Sequence, residues 1–290
     1  MSGLELVLPL VAALLGAVAD VVAKRLLGDM DTDSFLVLSF AWISVLVAPL
    51  AFLSFELSRL GAAIPMLGLI FSLDALANLL YFRALKVQEA SRLAVFGGTA
   101  PVFTLLAATV FLPSHLNPAA VTVVAAVATA VYVVNLDGLD PLDPLRRMVE
   151  RRNYEALLSA VLFGVSALPT RHVLSEMAVT NPETLYWMRG LVIGGVLLAV
   201  LRPRVAEIKR FSVVAVGARA VLVTGYWLAL LHSISQSNLV TSVALSRTTP
   251  VFTLIMGWLA LDEEMTAPKL CAVVLVTATV VWLEATGPSV

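Results

Sequence analysis

The chain has 290 residues, of which 60% are hydrophobic and 13% charged, with a mean hydropathy of +0.95 and a formal net charge of −1 at pH 7. These proportions lie outside the range of a soluble domain of this length and predict an integral membrane protein. Basic residues gathered in loops and a near-neutral balance leave no nucleic-acid footprint, and the single cysteine, Cys271, excludes an intrachain disulfide.

A bilayer crossing needs about 20 apolar residues. Reading the polar breaks on that basis predicts an all-α fold of ten transmembrane helices, at 4 to 26, 34 to 56, 65 to 86, 92 to 112, 117 to 135, 155 to 174, 183 to 201, 211 to 232, 239 to 261 and 266 to 284. The first carries Asp20 and Lys24, four apart on one face, and has no basic residue before it, so it reads as a span rather than a cleaved signal. Asp74 and Asn78 share a face of the third, and Gly97-Gly98 precedes Pro101 in the fourth. Arg189 lies early in the seventh, beside a Gly190 and Gly194 small-residue spacing; the eighth holds Arg219, Thr224, Tyr226 and Trp227; the ninth holds Arg247 just before Thr248, Thr249 and Pro250.

The pentapeptide Pro-Val-Phe-Thr-Leu occurs at 101 to 105 and again 149 positions on, at 250 to 254. In the same register Leu93-Ala94-Val95-Phe96 falls on Ser242-Val243-Ala244-Leu245, and with one gap Gly16 to Leu26 falls on Gly164 to Leu174. The expected organisation is a first five-helix repeat over 1–136, a basic connecting loop over 137–153 and a second five-helix repeat over 154–290. Five crossings is an odd number, so tandem copies traverse the membrane in opposite senses, giving the inverted repeat that secondary transporters use.

The residues that follow carry a resemblance. They are Pro101-Val102-Phe103 and Pro250-Val251-Phe252, Leu261-Asp262-Glu263-Glu264 after the ninth helix, Pro182 to Arg189 opening the seventh, and Lys24 late in the first. Together these resemble the drug/metabolite transporter superfamily, in particular its EamA-type members, whose ten helices form two five-helix repeats. The first repeat departs from that pattern, reading Leu112-Pro113-Ser114-His115 where the second has its acidic run, and it has no counterpart of Arg189.

Loop charges set an expected orientation. Arg146, Arg147, Arg151 and Arg152 lie in one loop and Arg202, Arg204, Lys209 and Arg210 in another, both on one face of a ten-helix chain. The rule puts that face in the cytoplasm and both termini outside, in a multi-pass cell-membrane protein.

Candidate site residues are the polar groups that the bilayer makes costly, at least about 2.5–3.5 kcal/mol for a charge at mid-membrane. Lys24, Arg189, Arg219 and Arg247 stand against Asp20 and Asp74, an excess of two positive charges that an anionic ligand would balance. Arginine grips carboxylate or phosphate with a planar fork and keeps its charge when buried. The expected substrate-binding set is Arg247, Arg219, Arg189, Lys24, Asn78, Tyr226 and Trp227, with Asp74 and Asp20 as coupling or counter-charge groups and Pro101 and Pro250 as helix-bending positions. Tyr81, Tyr186, Trp187 and Thr224 are further candidates to line the same cavity. Structural readings stand beside these: an intrahelical Asp20–Lys24 pair, a snorkelling Arg189, and interfacial Tyr81, Tyr186 and Trp187.

The three histidines are far apart and no phosphate loop or metal-ligand spacing occurs, so no catalytic residue, cofactor or metal is expected; Asp262-Glu263-Glu264 reads as a solvated turn. The functional expectation is a secondary active transporter moving a small anionic or zwitterionic metabolite, such as an amino acid, organic acid or phosphorylated metabolite, by alternating access. Its partners would be that substrate, membrane lipid, and a proton or exchanged counter-substrate, in a monomer or homodimer. The alternatives are a flippase of lipid-linked substrates or a hydrophobic drug exporter and, from another class, an intramembrane enzyme acting on lipid head groups.

Overall fold

The computed structural model describes residues 3–58, 60–88, 90–97, 99–111, 118–134, 153–203, 210–236, 242, 245–246, 248–261, 264, 266–268, 270–271, 274–275 and 278. Its regular elements are helical. They are α1 (Gly3–Asp29), α2 (Thr32–Leu53), α3 (Leu60–Val87), α4 (Ala90–Gly97), α5 (Ala100–Phe111), α6 (Pro118–Val134), α7 (Tyr154–Arg171, continued by a π turn over His172–Glu176), α8 (Pro182–Leu201), α9 (Arg210–Gln236) and α10 (Thr249–Leu261). Uninterrupted helix is the form in which a bilayer-embedded backbone satisfies its own polar groups.

Six helices are long and apolar enough to cross a membrane: Val7–Asp29, Thr32–Leu53, Ala63–Val87, Tyr154–Glu176, Pro182–Leu201 and Ser212–Gln236. The expected count of ten is not reached among the described residues. The fourth expected span is two short helices, the ninth is described as a continuous helix only from Thr249, and the tenth, at 266 to 284, is described only at scattered positions.

Helix ends follow side-chain chemistry. Asp31 caps α2 by accepting the amide of Ser34 at 2.8 Å, and Asn181 caps α8 by accepting the amide of Thr184 at 2.8 Å with Pro182 behind it. Partial burial works against ionisation of Asp31, but the hydrogen bonds from Ser34 outweigh it and hold the carboxyl below the usual carboxylate range.

The two halves pack crosswise. The first helix of one half lies on the third of the other (α1 on α9, α3 on α7), and the two second helices pair with each other (α2 on α8). Exchange of the halves maps this set onto itself, as a two-fold relation between inverted repeats requires. Small residues permit the close approach. A Cβ on Gly190 would stand 2.7 Å from Ser44 Oγ across the α2–α8 contact, and one on Gly164 would stand 2.5 Å from the carbonyl oxygen of Ala100, where α7 crosses the start of α5.

The duplication also fixes a pair of breaks. In the first half the amide of Thr99 donates to Phe96 O at 2.9 Å and that of Val102 to Thr99 O at 3.0 Å. In the second, 149 residues on, Thr248 donates to Leu245 O at 3.1 Å and Val251 to Thr248 O at 2.9 Å. The threonine hydroxyls repeat the pattern, Thr99 Oγ1 to Phe96 O at 2.7 Å and Thr248 Oγ1 to Leu245 O at 2.9 Å. The helix is therefore broken rather than bent, and Pro101 and Pro250 sit in the first turn of the segment after the break, where a missing N–H costs nothing.

One membrane face is closed by a clasp between the halves. Leu57 and Thr180 form an antiparallel bridge, Ser58 N donates to Val179 O at 2.8 Å, and Asn181 Nδ2 donates to Ser54 O. On the same face His232 Nε2 lies 2.9 Å from Glu183 Oε1.

Candidate functional site

The central helices enclose a cavity of about 870 Å³, counting its open side, lined from both halves. From the first half come Gly16, Ala19 and Asp20 of α1, Ser39, Phe40 and Ile43 of α2, Asn78, Tyr81 and Phe82 of α3, and Gly97 at the first break. From the second come Phe163, Tyr186, Arg189, Arg219, Val223, Tyr226, Trp227 and Thr249, the last beside the second break. The walls are mostly aromatic and aliphatic with a few convergent polar groups, the make-up of a small-molecule site.

Arg189 is 3% exposed, and its guanidinium lies 3.6 Å from the ring centroid of Trp227. Its Nε stands 3.0 Å from Asp74 Oδ2, but the N–H is not aimed at the carboxylate. As a result Arg189 Nε and Nη2 and Asp74 Oδ1 are all buried with no hydrogen-bond partner among the described residues. Two more groups facing the cavity share that condition, Ser39 Oγ and Tyr186 Oη. Three donor groups from two helices of opposite halves thus converge on one cavity. A buried donor without an acceptor costs roughly 1–3 kcal/mol, so such a cluster is stable when a ligand supplies the acceptors.

At another part of the same cavity the Tyr81 hydroxyl donates to Asp20 Oδ2 at 2.5 Å. Arg219 Nε donates to Ala19 O at 3.0 Å, and its guanidinium lies 5.0 and 4.9 Å from the rings of Phe35 and Phe82. Aromatic faces and a backbone carbonyl are thus its immediate surroundings, with the Asp20 charge nearby.

A second, smaller chamber of about 480 Å³ lies on the clasp side of Arg189. Phe163, Arg189 and Trp227 line both spaces and form the partition; Asp74, Ser166 and Thr170 line the smaller one only.

Six of the expected residues are thus brought to the central cavity: Arg189, Arg219, Asn78, Tyr226, Trp227 and Asp20. Asp74 is joined to it through Arg189, and Asn78 Nδ2 donates to Asp74 O at 2.7 Å. Lys24 is placed elsewhere. Its ammonium donates to the carbonyls of Leu85, Lys86 and Gln88 at 2.9, 3.2 and 2.6 Å, capping the C-terminal end of α3, where the helix dipole favours a cation. Arg247 lies outside the described residues. Over the two spaces together Arg189 and Arg219 stand against Asp20 and Asp74, but of the two carboxylates only Asp20 lines the central cavity, which keeps one more arginine than carboxylate among its described lining residues. Arg189 does not snorkel, and Tyr186, expected at the interface, is 1% exposed in the interior. Trp187 stays outside the cavity, its ring 5.1 Å from that of Phe52. Ser39 and Phe163 had no signal beyond their positions in apolar helices.

The EamA-like transporter family matches residues 3–136 and 154–284, once in each half. A solved structure described only as "Crystal structure of protein" is similar over 99% of both chains, with a TM-score of 0.67 and 16% identity, a likeness of fold alone. No curated protein matches the chain. A doubled match over nearly the whole length, on a helical membrane fold with two crosswise-packed halves, shows what the chain is: a multi-pass membrane protein of the EamA-like transporter family, within the drug/metabolite transporter superfamily, whose members are transporters of small molecules and not enzymes.

Proposed function

We propose that this protein is a secondary active transporter of a zwitterionic, amino-acid-like metabolite, which it binds in the central cavity and moves by alternating access. One observation carries the reading: Arg189 Nη2, Tyr186 Oη and Ser39 Oγ are buried without hydrogen-bond partners, and their residues line the same cavity as Asp20. Donors in that number suit a carboxylate, and Asp20 with Tyr81 suits an ammonium. Asp20 lines the cavity together with two arginines, so the lining offers groups of both signs, which favours a zwitterion over a net anion. The apolar body of the substrate lies against Phe40, Tyr226 and Trp227.

The inverted halves support alternating access: the clasp of Ser54 to Ser58 with Val179 to Asn181 joins the halves at one end of the bundle, and the partition at Arg189 and Trp227 stands between the cavity and that end. The basic loops support a reading in which the opposite end is cytoplasmic and both termini are outside. The test is a thermal-shift screen of purified protein in detergent against L-amino acids, dicarboxylates, sugar phosphates and hydrophobic cations. Selective stabilisation by amino acids that vanishes in Arg189→Ala supports the reading. Stabilisation only by cations or lipids contradicts it.

A further inference from the structure

Arg189 lines both compartments, whereas Asp74 lines only the smaller one. The two side chains are each 4% exposed and 3.0 Å apart, yet Arg189 Nε and Nη2 and Asp74 Oδ1 have no hydrogen-bond partner among the described residues. A carboxylate arriving from the central cavity offers Arg189 the aligned acceptors that Asp74 does not. If the guanidinium turns to that ligand, Asp74 becomes a buried anion without a counter-charge. Besides Arg189, its chamber then provides apolar side chains, the Trp227 indole and two hydroxyls, of which Thr170 is donated to Ser166 O at 2.7 Å and Ser166, near the Asp74 carboxyl, to Phe163 O at 3.1 Å; none of these carries a charge to answer Asp74. An unpaired buried charge is the arrangement a protein interior penalises most, and a proton removes it.

We propose that Asp74 is the proton-binding site of this transporter and that the substrate carboxylate and Asp74 compete for Arg189, so that each zwitterion bound brings one proton with it. This rests on the zwitterion site proposed above. The charges balance. Before binding, the Arg189–Asp74 layer holds one positive and one negative charge; afterwards it holds the Arg189 cation, the ligand carboxylate and a neutral Asp74, whose new proton comes from solvent and sits on a carboxylate oxygen. The ligand ammonium faces Asp20. Because proton and substrate occupy the same loaded state, they move in the same direction.

The groups able to compete for that proton are few. Among the described residues lining the small chamber, the charged groups are Asp74 of α3 and Arg189 of α8; α7 contributes Ser166 and Thr170, and α9 contributes Trp227 and aliphatic side chains. Across the partition stand Asp20 of α1, Tyr81 of α3, Tyr186 of α8, and Arg219 and Tyr226 of α9. Asp20 accepts the Tyr81 hydroxyl and neighbours the Arg219 charge, so it already has partners of its own.

The test is calorimetric titration of L-phenylalanine into the full-length protein in detergent, in pairs of buffers with different ionisation enthalpies, across a range of pH. The expected result is uptake of about one proton per L-phenylalanine bound, with Kd weakening tenfold per pH unit where the free carboxyl is ionised and the complex is protonated. Binding with no proton uptake and a pH-independent Kd overturns the proton site and leaves the zwitterion site standing. Failure of L-phenylalanine and of every other L-amino acid to bind overturns both. In Asp74→Asn, which mimics the protonated carboxyl, uptake should disappear and Kd should stay at the wild-type low-pH value throughout; persistent uptake in that variant places the proton elsewhere and overturns the proposal. Should that variant not fold, the wild-type titration decides alone.

Discussion

Arg189 and Arg219 are equally buried, each 3% exposed, and each lies against aromatic rings, but their polar atoms meet different fates. Arg219 gives its Nε–H to Ala19 O across the α1–α9 contact, so it ties one half of the molecule to the other. Arg189 is held flat on Trp227, next to a carboxylate it does not properly hydrogen-bond, with Nε and Nη2 unpartnered. Burial of an arginine is therefore no guide to its role. What distinguishes a packing cation from a ligand-binding one is whether its N–H groups already have acceptors.

The largest expected effect comes from breaking that comparison on the Arg189 side. Arg189→Ala leaves Asp74 buried and unpaired, so the variant should lose about 3–5 kcal/mol of stability, measured by unfolding in mild detergent, along with substrate binding. The double variant Arg189→Ala with Asp74→Ala removes both charges and should recover most of the stability but none of the binding; recovery of binding would assign the substrate to other groups.

Arg219→Lys should cost about 2 kcal/mol of stability, through loss of the guanidinium's contacts with the Phe35 and Phe82 rings and of the Nε–H to Ala19, while changing substrate affinity by less than a factor of about three. An affinity loss as large as that of Arg189→Ala would end the distinction between the two arginines.

Tyr186→Phe sharpens it further, because its two readouts should move in opposite directions. Deleting an unpartnered buried hydroxyl should leave stability unchanged or raise it slightly, whereas loss of a donor to the ligand should weaken affinity about tenfold, or about 1.4 kcal/mol. A parallel fall in both would mean the hydroxyl supports the fold and not the ligand.

The smallest effect is a control remote from both arginines. Asp31→Ala removes the α2 cap and should cost about 1 kcal/mol. The Asp31 carboxyl is held below its ordinary range, so its contribution is fully present above the unfolded-state carboxyl pKa and is lost as pH falls through the folded-state value. The difference between wild type and variant, followed by thermal unfolding, should therefore narrow only in acid.

The duplication was legible because Pro-Val-Phe-Thr-Leu survives in both halves, and its structural meaning is shared backbone geometry: the same pair of three-residue hydrogen bonds recurs 149 positions apart. Charged side chains in apolar helices announce themselves by their cost, which is how Arg189, Arg219, Asp20 and Asp74 could be named from the chain alone. That argument says a charge needs a partner without saying which. Lys24 shows the gap, since four methylenes let its ammonium reach the end of α3, and nothing in residue spacing distinguishes that from a cavity. Ser39 was not legible at all, because a serine in an apolar helix ordinarily bonds its own backbone, and Tyr186 could be read either as a cavity-lining residue or, by preference, as an interfacial one. Only the packing of α2 on α8 brings Ser39 to the cavity that Tyr186 and Arg189 line.

The most direct test of the central claim is uptake into proteoliposomes of radiolabelled L-phenylalanine in competition with its two half-analogues, 3-phenylpropionate and 2-phenylethylamine, in wild type and in Arg189→Ala. The account predicts that the wild type transports the zwitterion and is inhibited weakly by either analogue, because each satisfies only one end of the cavity, and that Arg189→Ala abolishes uptake. Uptake that persists in Arg189→Ala, or inhibition by 2-phenylethylamine as strong as by unlabelled L-phenylalanine, would contradict a carboxylate held at Arg189.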